Sequence, residues 1–228
     1  MKKPLPQTER NARRESLFAP HGFEGRGMAD GFGDIVAITQ LIQAWGHCRD
    51  QGRWGDLART FTPDGTINVT WFTGAFSDFV GASRKVHQPR SPRIKHLIGL
   101  PSVNLQGDRA LAETNIQILG RFRLDNTDVD YTSYARFLDR LVRTADGWKI
   151  SARTAIYEKD RLDPAVPSED FVRTMSETDF SGVPEPYRYL GYRLLISGRQ
   201  LHPDIICDGS PEMGRLLSNA RQWLAVGG

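Results

Sequence analysis

The sequence is poor in residues that staple, chelate or anchor a chain. Two cysteines among 228 residues, Cys48 and Cys207, neither in a CxxC pair, exclude a disulfide framework, and both read as thiols of a reducing cytoplasm. The five histidines, His21, His47, His87, His96 and His202, show no HxH or HxxxH spacing. The adjacent His47 and Cys48 point to different sides of a helix, so no metal site is expected. No apolar run is long enough to span a membrane or, behind the basic opening MKKPLPQTERNARRES, to form a secretory signal. There is no Walker loop and no GxSxG elbow. The glycines of GFEGRGMAD follow no strand and lack the last glycine of a dinucleotide fingerprint. Chemistry without a cofactor is the expectation these absences leave.

An excess of charge of one sign is also missing from most of the chain. The formal net charge is +3, but six of the 30 Lys/Arg and three of the 27 Asp/Glu fall in residues 1–27, which leaves 24 of each sign from residue 28 onward. A neutral body argues against a nucleic-acid partner, and the absent apolar runs argue against a membrane one. With 39% hydrophobic residues the chain suffices for one well-buried core plus an appendage.

Residues 1–33 are rich in charge and glycine and are expected to form a flexible arm, within which Met28 is a second candidate start. From Asp34, a plausible N-cap, apolar residues recur at Ile35, Ile38, Leu41, Ile42, Trp45 and Cys48, a helical spacing that Gly52 can terminate. A short helix through Leu57 and the turn FTPDG follow, and TINVTWF alternates so that Ile67, Val69 and Trp71 share a strand face. Residues 76–93 read as a short helix and a basic loop, KVHQPRSPR. Strands are expected in RIKHLIGL (93–100), ALAETNIQILGRF (110–122), YTSYARFLDRLVR (131–143) and WKISARTAIYE (148–158). The connections QGD, LDNTDVD and TADG make them antiparallel hairpins. The result is an α+β domain over residues 34–162, helices on one face of a curved antiparallel sheet. Residues 163–228 form a helical extension whose last helix has Ser210 as N-cap, Pro211 first, and a stripe of Met213, Leu216, Leu217, Ala220 and Leu224. That stripe would close the sheet's mouth or face a second subunit, and a homodimer or homotrimer is expected.

Two residues stand out chemically. Period two along RIKHLIGL puts Ile94, His96, Ile98 and Leu100 on one face. His96 is then either a core histidine bonded to a backbone carbonyl or a general base in an apolar pocket. Asp50 lies in the last turn of the first helix, where the dipole disfavours an anion by about 0.3–1 kcal/mol. It also sits about 130° from the centre of the apolar stripe. The wheel favours a solvated aspartate neutralised by Arg49 and Arg53; the alternative is a carboxylate with a partner elsewhere in the fold.

The run IVAITQLIQAWGHCRDQGRWGDLARTFTPDGTI, then RIKHLIGLPSVN, then DGWKISARTAIYEKDRL resembles the SnoaL-like, polyketide-cyclase-like branch of the nuclear-transport-factor-2-like superfamily. That branch includes hexachlorocyclohexane dehydrochlorinase and is related to scytalone dehydratase. The resemblance covers roughly residues 34–162. It implies a cone-shaped α+β domain in which an aspartate ending the first helix pairs with a histidine on the third strand, and the matching positions are Asp50 and His96. It further implies a cofactor-independent lyase that eliminates water, or a small carbonyl fragment such as formaldehyde, from a small aromatic or apolar substrate. Isomerisation or cyclisation by the same pair is one alternative. A non-catalytic protein, like the small subunit of ring-hydroxylating dioxygenases or a ligand-binding module, is another. Polar side chains that follow the histidine in the dehydratase fall by spacing on Asn115 and Gln117, whereas its tyrosine before the aspartate is replaced by Arg49. Of Tyr131, Tyr134 and Arg136, strand parity lets the last two share a face, and a register pairing 117 near 136 would set them beside Asn115. Tyr134, Arg136, Asn115, Gln117 and Trp71, the last also readable as core, are the expected substrate contacts.

Overall fold

A computed structural model describes residues 28–87 and 94–226. The expected arm as far as residue 27, with most of the glycine run, and the end of the basic loop lie outside the described residues.

Helix α1, Met28–Gln51, buries Ile38, Ile42, Trp45 and Cys48 of the helical stripe read from the sequence and half-buries Leu41, whereas Ile35 is exposed. Gly52, at φ 68°, takes the left-handed conformation that ends it, and the Arg53 N–H donates to the Cys48 carbonyl at 2.9 Å. The helix starts six residues before Asp34, so residues 28–33 belong to it rather than to the arm, and Asp34 is not its N-cap. The Asp34 carboxylate accepts from Arg143 Nη1 at 2.8 Å and Trp148 Nε1 at 2.9 Å instead. A guanidinium and an indole N–H outcompete peptide amides for a carboxylate, and these bonds tie α1 to the sheet.

The elements that follow are α2 (Trp54–Ala58), β1 (Phe61–Val69), β2 (Phe72–Ala75), α3 (Phe76–Val86), β3 (Ile94–Ile98), β4 (Ser102–Gln106), β5 (Arg109–Leu124), β6 (Thr127–Thr144) and β7 (Gly147–Pro164). With β8 (Ile206–Cys207) they form an eight-stranded sheet in the order β2-β1-β7-β6-β5-β3, β4 pairing with β5 and β8 with β7. The β5–β6–β7 meander is the expected one, drawn tighter. Leu124 pairs with Thr127 around a two-residue turn in which Asp125 has φ 48°, so most of LDNTDVD is strand. The sheet is mixed, mostly antiparallel: β1 runs parallel to β7, with Asn68 opposite Thr154. Hairpin chemistry dictates direction only between consecutive strands, and five others separate β1 from β7 along the chain. Unmatched residues at Ser151 and Glu158 in β7 bulge that strand and curve the sheet.

The concave face holds the larger core, where Trp45, Leu57, Phe79, Ile116, Phe137 and Tyr157 meet from helices and strands. The convex face carries a smaller one. Leu111, Leu138 and Ile156 are covered by α6 (Pro211–Ala225) through Met213, Ala220 and Leu224. Ser210 caps α6, its hydroxyl accepting from the Met213 N–H at 3.1 Å. The stripe therefore packs on the back of the sheet of its own chain, and closure of the mouth falls to another helix. After α4 (Glu169–Glu177), α5 (Arg188–Ile196) is held by Asp160 of β7, which accepts from the N–H groups of Tyr189 and Leu190 at 2.7 and 2.9 Å. Among the described residues no helix is long and apolar enough to cross a membrane.

Candidate active site

The last turn of α1 and strand β3 converge on one pair. His96 Nδ1 lies 2.5 Å from Asp50 Oδ1, and the His96 peptide N–H donates to Oδ2 at 2.9 Å. β3 is the end strand of its sheet path, so an N–H pointing away from β5 has no strand to meet, and a helix-end carboxylate satisfies it. This explains how an aspartate off the apolar stripe becomes enclosed: the covering comes from β3 passing the helix end. Its side chain is 6% exposed. Burial pushes the Asp50 carboxyl up, but the hydrogen bonds and charge of His96, aided by Lys95 with Nζ at 3.4 Å, outweigh it and hold the group below the usual carboxylate range. With Nδ1 committed to Asp50, Nε2 is the ring nitrogen left to meet a substrate.

The imidazole lines a cavity of about 780 Å³. Trp45, Trp71, Phe79, Ile118, Phe137 and Leu190 give it apolar walls, room for a bicyclic aromatic compound. Trp45 meets the His96 ring edge-on at 5.6 Å. Tyr157 and Tyr131 bring hydroxyls. That of Tyr157 accepts from the Thr70 N–H at 3.0 Å, whereas that of Tyr131, a residue 1% exposed, has no partner among the described residues. Gly120 stands opposite Tyr131 because a Cβ there would run into the phenol ring. Arg49, Arg193 and Arg199 complete the cationic part of the wall.

The structure separates four expected substrate contacts from this cavity. Asn115, Gln117, Tyr134 and Arg136 do share a face, with 115 opposite 136 and 117 opposite 134, but it is the convex one. His96 pairs with Ile118, so the even-numbered residues of this part of β5 look into the cone. Arg136 instead donates from Nε to Glu113 at 2.5 Å and from Nη2 to Asp208 at 2.7 Å, and pairs with Glu158. The Lys159 ammonium sits 5.0 Å from the Tyr134 ring centre. Leu100 departs too: β3 ends at Ile98, the Gly99 N–H turns to the Asn115 carbonyl, and Leu100 is 82% exposed. Trp71 does line the cavity, from the turn after β1, packed 5.2 Å from Phe79.

Three features had no sequence signal strong enough to single them out. Arg193 and Arg199 lie beyond the residues that carry the resemblance. The pair Asp139–Arg153 occupies two alternating strand positions, yet it is completely buried, bidentate at 2.7 Å for both bonds, with the guanidinium carbon 4.5 and 4.1 Å from the rings of Trp45 and Phe137. It braces the aromatic wall from behind. Among the described residues no group of three or more His, Cys, Asp or Glu is placed to hold a metal ion.

The helices packed on a curved, mostly antiparallel sheet make the nuclear-transport-factor-2-like fold. The SnoaL-like domain profile matches residues 32–154, and the chain belongs to that family. A PEP2-like protein of Fusarium vanettenii is 27% identical over 205 residues, 83% of this chain and 84% of that one, more of the chain than the SnoaL-like domain alone. Pea pathogenicity protein 2 of the same fungus is 26% identical over 160 residues, 69% of this chain and 67% of that one. Among solved structures, a type 2 hexachlorocyclohexane dehydrochlorinase superposes with a TM-score of 0.52 at 16% identity, covering 62% of this chain and 95% of that one. A Novosphingobium aromaticivorans protein named after scytalone dehydratase gives 0.50 at 15%, covering 62% and 100%. At such identities the likeness is one of fold.

Proposed function

We propose that this protein is a lyase whose His96 removes a proton from a small aromatic substrate, with no cofactor needed for that step. The observation that carries the reading is the Asp50–His96 contact, 2.5 Å from oxygen to Nδ1, in the wall of a cavity to which Trp45, Trp71, Phe79, Ile118, Phe137 and Leu190 contribute apolar surface. Asp50 fixes the tautomer and the ring plane through two bonds to one residue and faces the imidazolium that forms on proton uptake. When Nε2 takes a proton from carbon, the electron pair becomes a double bond. The leaving oxygen, on the same side of the substrate, receives the proton back from Nε2 and departs as water. In a hydroxymethyl compound Nε2 takes the hydroxyl proton, the C–C bond breaks to release formaldehyde, and the proton returns to carbon. The apolar walls exclude competing water.

The test is a screen of the purified chain, without added cofactor, against hydroxylated and hydroxymethylated aromatic compounds, with loss of water or formaldehyde followed by mass spectrometry. Once a substrate is found, His96→Gln and Asp50→Asn should each lower turnover by about 10²- to 10⁴-fold with an unchanged circular dichroism spectrum. Full activity in both variants would sink the dyad. A product of unchanged mass would replace elimination by isomerisation.

A further inference from the structure

The cavity wall is far more basic than the body of the chain. Its lining includes four cationic side chains, Arg49, Lys95, Arg193 and Arg199, against one carboxylate, Asp50, already engaged by His96. Arg49, Arg193 and Arg199 make no side-chain hydrogen bond or salt bridge among the described residues. Their guanidinium groups lie over rings: Arg193 is 5.1 Å from the centre of Tyr131, Arg199 5.5 Å from Trp71, and Arg49 5.8 Å from Phe79. Beside them is the Tyr131 hydroxyl, buried and unpartnered. Burial keeps that phenol above its usual range, against the pull of the three guanidinium groups, so it remains a donor. Buried polar groups left without partners are rare, and three guanidinium groups with a neutral donor form a constellation that lacks only an acceptor.

The backbone aims two of these arginines deliberately. Asp160 fixes the first turn of α5, which sets Leu190, Arg193 and Leu194 over the cavity. The helix then closes in a Schellman turn: Gly198, at φ 76°, donates to the Leu195 carbonyl at 2.9 Å, and the Arg199 N–H returns to the Leu194 carbonyl at 3.0 Å. The His202 N–H reaches the Thr70 carbonyl at 3.3 Å, fastening the segment beside Trp71.

We infer that the cavity is built for an organic carboxylate, an aromatic acid whose anionic group is held by Arg193 and Arg199 of the C-terminal extension with Arg49 and the Tyr131 hydroxyl, while its ring lies toward His96. This rests on the proposed lyase reading only for the role of His96; recognition of the anion does not need the dyad. A guanidinium fork matches the planar carboxylate, and the aromatic walls take the rest of the molecule.

Isothermal titration of the full chain with 1-naphthoate, methyl 1-naphthoate and 1-naphthyl phosphate tests it. The acid should bind at least about tenfold more tightly than its ester, the worth of a charge-assisted hydrogen bond. That preference should fall to about twofold or less in Arg193→Met/Arg199→Met, be partly kept in the double Lys variant, and persist in His96→Gln and Asp50→Asn. Full turnover in His96→Gln and Asp50→Asn with an intact acid preference removes the lyase reading and leaves this one standing. Equal binding of acid and ester, no binding of the acid, tighter binding of the phosphate, or an undiminished preference in the Met variant overturns it. Should the Met variant fail to fold, the wild-type acid preference in 0.05 and 0.5 M salt decides: a constant ratio overturns the inference, a shrinking one supports it.

Discussion

On the convex face of the sheet Arg136 meets Glu113, Glu158 and Asp208, and through them three neighbouring strands and the loop before α6 are joined. At the mouth of the concave face Arg49, Arg193 and Arg199 form no salt bridge among the described residues, though the charge of Asp50 acts on Arg49. Burial, with repulsion between neighbouring guanidinium groups, draws Arg49 and Arg199 below the usual arginine range, in Arg49 against the pull of Asp50. A fold that neutralises one partly buried arginine threefold and leaves three others without a salt bridge around a cavity is not simply short of acidic residues. The convex charges hold the molecule together. The concave ones join no such network and fit a role toward a ligand.

Arg153 supplies the extreme case on the structural side and the largest expected effect. Asp139→Asn would leave its guanidinium buried beneath Trp45 with no counter-ion, at a cost of about 3–5 kcal/mol. Urea unfolding should show that loss, and Asp139→Leu/Arg153→Met should recover most of it. A cost under about 1 kcal/mol for the single variant would mean the pair is not a support. The faces themselves are compared by the next pair of substitutions. Arg136→Gln leaves three carboxylates facing one another and should destabilise by roughly 1–3 kcal/mol, between exposed and buried ion pairs. Arg199→Gln should stay within about 0.5 kcal/mol of wild type, since it removes repulsion along with a cation–π contact. If the two values exchanged places, the distinction between structural and ligand-directed arginines would collapse.

What could be read in the sequence follows the same division. Periodicity located α1, the meander and the capped α6, because those elements bury one regular stripe or one alternating face. Parity correctly grouped Asn115, Gln117, Tyr134 and Arg136. Parity alone, however, does not say which face is concave; that is decided by His96 standing opposite Ile118, a pairing between strands distant in sequence. Asp50 was ambiguous on the helical wheel because its cover is a strand that no local pattern connects to it. Only the order of motifs shared with a family joined the two residues. Arg193 and Arg199 are invisible for a different reason. Charged residues on a short helix and just past its end look solvated until Asp160 and Gly198 turn them over the cavity.

The smallest expected effect bears on the carboxylate of the concave site. Asp50 has a folded pKa below its unfolded value of about 3.9, so its ionisation stabilises the fold. That contribution is fully present above the unfolded pKa and is lost as pH falls through the lower, folded one. Asp160 runs the other way: burial outweighs its two peptide donors and raises its carboxyl, so its contribution is largest at low pH and declines as pH rises through the folded value. The two slopes overlap, and wild type alone would not separate them. The difference in unfolding free energy between wild type and Asp50→Asn removes Asp160 from both sides. It should shrink below about pH 4. A difference that grows as pH falls from about 4 to 2 would mean that His96 and Lys95 do not stabilise the ionised carboxylate, and the concave site would then hold no settled anion of its own.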